Sequence, residues 1–288
     1  MSTAALLLVL TAALLHASWN FVLKKSGGGL GILTLSAIIS SAILTPVGVF
    51  LIVSQSFQFS AVALGMIAGS GFIHLAYFLL LDRAYRAGGN LSVVYPLARA
   101  TGPLLTIVAA TLFLGERMTP VAIGGAVLIL ASAMILTGDP RKMFSKANGS
   151  AAGFALLCGC TIAAYTVWDK QAVAWILIPP VIFDWGAGLT RCLMLTPLTM
   201  RREPGAIAKA WRTHRKTAIV IGVMSPLSYI LVLTAMVSAP VSYVAPAREV
   251  SILFAALLGA HVLGEGEATK RTVAALGMVL GIAALAVG

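Results

Sequence analysis

A segment in the middle of the chain recurs near its end, and this recurrence limits the available folds more than any other feature. Residues 92–116 read SVVYPLARATGPLLTIVAATLFLGE and residues 241–265 read VSYVAPAREVSILFAALLGAHVLGE, at a constant offset of 149 residues. Arg99 and Arg248 each stand 17 positions before a closing glutamate, Glu116 and Glu265. Between arginine and glutamate lie about 15 largely apolar residues, a run suited to a lipid-spanning helix and of no use to a soluble domain. The chain reads as two copies of one membrane module, a construction many transporters share.

Composition agrees. Hydrophobic residues make up 59% and charged residues 10% of the 288, and the mean hydropathy is +0.98. Soluble domains run at roughly 45–50% apolar and 25% charged. The excess falls in blocks of about 20 residues, the length that crosses a bilayer core of about 30 Å. Ten spans are predicted, at 3–23, 31–53, 60–81, 91–114, 119–137, 149–168, 175–198, 217–236, 240–263 and 270–287. Most connections are short and marked by glycine, proline or charge, such as Gly27-Gly28-Gly29, Gly88-Gly89-Asn90 and Gly138-Asp139-Pro140. The sizeable exception is 199–216, and the stretch around 139–148 divides a first half, 1–138, from a second, 149–288. The N-terminal run lacks a positive n-region and stays apolar to Leu23, so it reads as an uncleaved span and not a signal peptide. Cys158, Cys160 and Cys192 lie in apolar segments with no zinc or disulfide spacing, as packing residues would.

The basic residues imply a topology. Of 20 Lys/Arg, 15 fall in loops 1–2, 3–4, 5–6, 7–8 and 9–10, whereas the opposite side carries Arg117 and Lys170. The positive-inside rule then puts the 15 in the cytoplasm and both termini outside. The net charge of +11 is on this reading a topology signal and not a nucleic-acid footprint. Arg83 and Arg86 mark loop 3–4, while its counterpart around Ser238-Ala239-Pro240 has no charge. Five helices per copy force the second to enter upside down. The expected fold class is an all-α membrane protein, ten transmembrane helices as two inverted five-helix repeats, with a substrate site near the midplane.

Ten spans, duplicated five-helix units and the Pro-x-x-Arg…Leu-Gly-Glu pattern of spans 4 and 9 resemble the drug/metabolite transporter superfamily, specifically its EamA-type permeases. The resemblance covers nearly the whole chain. It implies a basket-like bundle in which spans 1, 3, 4, 6, 8 and 9 line a central cavity and spans 5 and 10 pack behind. The bacterial branch includes exporters of amino acids, aromatic ones among them. One departure is that Pro246 comes one position after the slot matching Pro96, which shifts any kink by a residue.

Polar groups inside spans are costly and tend to face a cavity or each other. Span 1 carries His16, Trp19 and Asn20 at helical spacing on one face, and span 6 carries Tyr165 and Trp168 at the same relative place. Span 3 adds His74 and Tyr77, span 4 Tyr95 and Arg99, span 8 Ser225, Ser228 and Tyr229, and span 9 Tyr243 and Arg248. These are the candidate substrate-binding residues. Bland roles compete with that one: an interfacial aromatic belt for Trp19 and Trp168, packing for His16 and His74, and an internal lock on a kinked helix for Arg99 and Arg248. His261 reads as structural and His214 as solvated. Asp184 and Arg191 share a face of span 7, where they could pair with other helices or form a gate, and a structural role is the favoured reading. Glu116 and Glu265 read as caps on spans 5 and 10. Gly65/Gly69 and Gly277/Gly281 form small-residue motifs for close helix contact.

No Walker A loop, dinucleotide fingerprint, His/Glu metal cluster or nucleophile elbow is evident, so the expectation is a non-enzyme with no cofactor and no metal. The expected partners are a small-molecule substrate and membrane lipid, with no nucleic acid. A monomer is expected, with dimerisation left open. The favoured function is a secondary carrier of a bacterial inner membrane that exports amino acids, aromatic or large apolar ones in particular. A drug exporter and a non-transporting scaffold or sensor are the alternatives. Span carboxylates read as limited to Asp184 and Glu249, so proton coupling has weak support and facilitated export stays open.

Overall fold

The computed structural model describes residues 1–86, 91–137, 149–263 and 268–288, and omits the side chains of 82, 85–86, 91–96, 137, 259–263, 268 and 270–271. The expectations placed on Glu265 and the inter-half stretch 139–148 lie outside the described residues, and those on Tyr95 and His261 rest on side chains that are not described. Among the described residues eleven helices follow one another: α1 (Thr3–Lys25), α2 (Leu30–Ser54), α3 (Ala61–Arg86), α4 (Leu91–Phe113), α5 (Pro120–Thr137), α6 (Gly149–Ala174), α7 (Pro180–Arg202), α8 (Ala206–Ser238), α9 (Val241–Arg248), α10 (Val250–Leu263) and α11 (Ala268–Val287). No strand occurs among the described residues.

An all-helical fold follows from the apolar runs, because hydrocarbon offers no partner to a backbone amide and a helix satisfies its own. Helices α1, α2, α3, α6, α8 and the α9–α10 run are long and apolar enough to cross a bilayer, and shorter apolar helices cover Leu97–Phe113, Pro120–Leu136 and Thr272–Val287. By length and composition the chain is a multi-pass membrane protein. Its exterior agrees: Val53, Phe50, Leu112, Phe113, Leu193 and Leu280 are each more than 60% exposed, a surface that water would not tolerate over so wide an area.

Small residues let the helices approach. A Cβ on Gly281 of α11 would lie 2.7 Å from the Gly125 carbonyl oxygen of α5, one on Gly159 of α6 would strike Thr101 of α4, and one on Gly222 of α8 would meet Ser36 and Ile39 of α2. Gly277 of α11 sits against Ser132, so the α11 motif works inside the bundle. Gly69 abuts Trp168, but Gly65 faces nothing within 4 Å, so only half of the α3 motif makes a contact. The principal packed pairs are α5–α11, α4–α6, α3–α6, α1–α8, α2–α8, α2–α7, α3–α7 and α1–α10.

Four expectations change. The stretch 199–216 is mostly helical: α7 runs to Arg202, and α8 begins at Ala206 after a glycine with φ +78°, Gly205. Helix α8 has 33 residues and bends at His214 (φ −132°, ψ 25°), which sets its basic first turns apart from the apolar remainder. Polar sequence alone does not exclude helix when i, i+4 spacing and length permit it. Next, α6 continues to Ala174, so Asp169 and Lys170 are helical and buried rather than loop residues. The predicted ninth span is two helices, broken at Glu249. Finally, Glu116 does not cap α5. That task falls to Thr119, whose Oγ1 accepts from the Ala122 amide at 3.1 Å with Pro120 at the first helical position.

Candidate functional site

The break in the ninth span creates the site. Pro246 has no N–H and crowds the preceding turn, and beyond it the backbone tightens. The Glu249 amide donates to the Pro246 carbonyl at 3.0 Å and the Ile252 amide to the Glu249 carbonyl at 2.9 Å, both i to i−3. Arg248, Glu249 and Ser251 therefore lie at a helix discontinuity buried in the bundle. Around it α1, α4, α8, α9 and α10 enclose a cavity lined by Ala12, Ala13, His16, Arg99, Ser228, Tyr229, Val232, Arg248 and Ser251. The space open to water in it is about 20 Å³, room for a single water molecule or so.

The two repeat arginines differ here. Arg99 Nε lies 2.9 Å from Glu249 Oε2, and its Nη2 donates to Ser251 Oγ at 2.9 Å. Both partners belong to the broken helix, so Arg99 ties α4 to the break. Arg248 stands over the Tyr229 ring with its Cζ 5.4 Å from the centroid, a cation–π contact. Among the described residues it makes no ion pair and no hydrogen bond, and its guanidinium, a fork of five N–H donors, stands at the cavity wall.

Behind Tyr229 lies an aromatic and polar cluster. The rings of His74 and Tyr165 stack at 4.0 Å with planes 24° apart, and Tyr229 meets His74 edge-on at 5.5 Å. Tyr77 contacts Tyr165 at 6.3 Å on the rim. His74 Nδ1 donates to the Ser70 carbonyl at 2.9 Å, which puts the ring proton on that nitrogen. The Tyr229 hydroxyl donates to Asp169 Oδ2 at 2.5 Å, and Asp169 is fully buried. Sequence reading overlooked Asp169 because it ended the sixth span at Trp168. The repeat offset itself holds the missing signal, since Trp19-Asn20 and Trp168-Asp169 stand 149 residues apart.

Of the sequence candidates, His16, Arg99, Tyr229 and Arg248 line the cavity, with Ser228. Tyr165, His74 and Tyr77 form the cluster behind. Four others go elsewhere. Trp19 meets His16 edge-on at 4.9 Å but packs on the α2–α8 contact around Ile32, Leu35 and Ile221. Asn20 Nδ2 donates back to the His16 carbonyl at 2.7 Å within α1. Trp168 Nε1 donates to the Met66 carbonyl at 2.8 Å and fastens α6 to α3. Tyr243 Oη accepts from the Thr119 amide at 3.4 Å and donates to the Gly288 carbonyl at 3.3 Å. Asp184 and Arg191 pair along α7 at 3.9 Å.

The end of the bundle that holds Tyr243 is tied shut. Glu116 Oε1 and Oε2 accept from the Val241 and Ser242 amides, both at 2.8 Å, so the closing glutamate of the first repeat caps α9 of the second. A carboxylate satisfies two orphan amides and meets the positive pole of the helix. Lys170 Nζ donates to the Met236 and Ala239 carbonyls at 2.6 and 3.0 Å and finishes α8 in the same way.

No family model and no curated protein matches this sequence. Its fold is shared by a solved crystal structure, with a TM-score of 0.79 over 100% of this chain and 98% of that one. The two are 17% identical, so the likeness is one of fold alone.

Proposed function

We propose that this chain is a secondary membrane carrier that exports amino acids, large apolar or aromatic ones in particular, in the manner of the EamA-type permeases its repeat motif resembles. The observation that carries the reading is Arg248. A guanidinium at a buried helix break, lining a cavity and without an ion pair among the described residues, is placed to bind a carboxylate in bidentate fashion. The stacked His74, Tyr165 and Tyr229 beside it provide an apolar, π-rich wall for a side chain. With Arg99 compensated by Glu249, Arg248 leaves a positive charge at the cavity wall, which weighs against a cationic drug as substrate.

The inverted repeat has support in the packing. Exchange α1 with α6, α2 with α7, α3 with α8, α4 with α9–α10 and α5 with α11. The pair α3–α6 then becomes α8–α1, α4–α6 becomes α10–α1, α2–α8 becomes α7–α3, and α2–α7 and α5–α11 map onto themselves. A bundle with that pseudo-symmetry can open toward either side by exchanging the roles of its halves. On this reading the end capped by Glu116 is the closed one, and the cavity of about 20 Å³ awaits opening before substrate can enter.

The test is flux of a panel of amino acids across proteoliposomes containing the purified protein. Carboxylate-bearing substrates should move and their amides should not. Transport of organic cations with no amino-acid flux would overturn the reading.

A further inference from the structure

Asp169 is a buried carboxyl group that substrate binding, as described so far, does not use. One oxygen accepts from Tyr229, the other has no hydrogen-bond partner, and among the described residues no cation pairs with it. The charged and titratable groups around it are Tyr229 of α8, His74 of α3, Tyr165 of its own helix, and Asp184 with Arg191 of α7. The Ser70 hydroxyl of α3 also bears on the carboxyl. Arg248 of α9 reaches Tyr229 but not Asp169, and Lys170 turns away to the end of α8. A carboxylate anion in so dry a place is expensive without a cation, whereas a neutral carboxyl is well served. Its Oδ2 accepts from Tyr229, and Oδ1, which accepts from no donor, can carry the proton.

Resting on the carrier reading, we propose that Asp169 is a proton-binding site coupled to the substrate site through Tyr229, so that the chain exchanges protons for substrate. Tyr229 holds Asp169 with its hydroxyl and Arg248 with its ring face. A substrate carboxylate that engages Arg248 draws the guanidinium off the ring. Tyr229 is then free to turn, its hydroxyl leaves Oδ2, and water reaches the carboxyl. The Asp169 O–H bond breaks, the electron pair stays on the carboxylate, and the proton passes to that water. Tyr229 keeps its own proton throughout. Once substrate has left to the opposite side, Asp169 takes up a proton from water on that side, and Tyr229 closes over it again. The two ligands thus exclude each other, as antiport requires.

The decisive experiment has two readouts. Infrared difference spectra of the purified protein in lipid, recorded between acidic and alkaline pH, should show the carbonyl stretch of a buried carboxylic acid. Asp169→Asn should remove that band, and Tyr229→Phe should move it to higher frequency, since the carbonyl loses its donor. In proteoliposomes, an outward proton gradient of one pH unit, with the lumen acidic, should drive up to about tenfold substrate accumulation at one proton per substrate, and Asp169→Asn should bring the ratio with and without gradient to about one. The ratio is insensitive to a uniform loss of activity. A band unchanged in both variants overturns the proposal. So does parent transport that ignores the proton gradient, or that follows a sodium gradient instead, and in these cases the carrier reading stands. Absence of any parent flux overturns the carrier reading itself, and the coupling with it, whatever the spectrum shows.

Discussion

Arg99 of α4 is ion-paired at 2.9 Å with Glu249, the residue at which the ninth span breaks. Carried back by the repeat offset of 149, Glu249 falls on Ala100. The first copy therefore has no carboxylate with which to return the contact, and Arg248 is left to the cavity. A repeat that looks symmetric at its arginines is asymmetric one residue later, and that difference divides them into a lock and a binding group.

Separate thermal and transport measurements should reveal the division. Arg99→Ala leaves Glu249 buried without its partner and should cost about 3 kcal/mol of stability, read as a large fall in melting temperature in detergent. Arg99→Lys keeps the charge but cannot serve Glu249 and Ser251 together, and should lose both stability and flux. Arg248→Lys should abolish most transport while costing under about 1 kcal/mol, since it loses mainly a cation–π contact. An equal thermal loss in both lysine variants would make Arg248 a lock as well.

Tyr165 and Trp168 are one turn apart on α6 but should respond differently. Tyr165→Ala removes the partner stacked on His74 and should lower transport of aromatic amino acids more than of small ones. Trp168→Ala opens a hole beside Gly69 and leaves the Met66 carbonyl without its donor. It should cost about 3–5 kcal/mol of stability without changing selectivity. A competition assay with alanine and tryptophan as substrates separates the two effects.

Glu116→Gln should weaken the closed end. The amide keeps only one acceptor oxygen and no charge for the Val241 and Ser242 amides, a loss of about 1 kcal/mol. Protein in lipid should show faster hydrogen exchange at residues 241–244 than the parent. Exchange that does not change would place the closure in other contacts.

Orientation can be read by labelling. In a background with Cys158, Cys160 and Cys192 replaced by serine, Thr213→Cys on the exposed basic face of α8 should react with a membrane-impermeant maleimide only in inverted vesicles. Thr3→Cys should react in intact cells. The opposite pattern would invert the topology.

Amino-acid order by itself determined the class of the molecule, because apolar runs of span length leave a helix as the one way to satisfy each amide in lipid. It also showed one segment recurring, through the arginine-to-glutamate spacing, and drew His16, Arg99, Tyr229 and Arg248 to one site, since polar side chains in spans are costly enough to stand out. Three things waited for the fold. Asp169 was overlooked because the sixth span was ended at Trp168, whereas Asp169 and Lys170 are buried, held by a tyrosine 60 residues away and by carbonyls at the end of α8. Trp168 and Tyr243 resembled cavity residues until their bonds to Met66 and Gly288 placed them in structural joints. The cap on α9 comes from a glutamate 125 residues earlier in the chain. Periodicity reports which face of one helix is apolar, but the partner of a polar group is set by which helices meet, and only tertiary packing decides that.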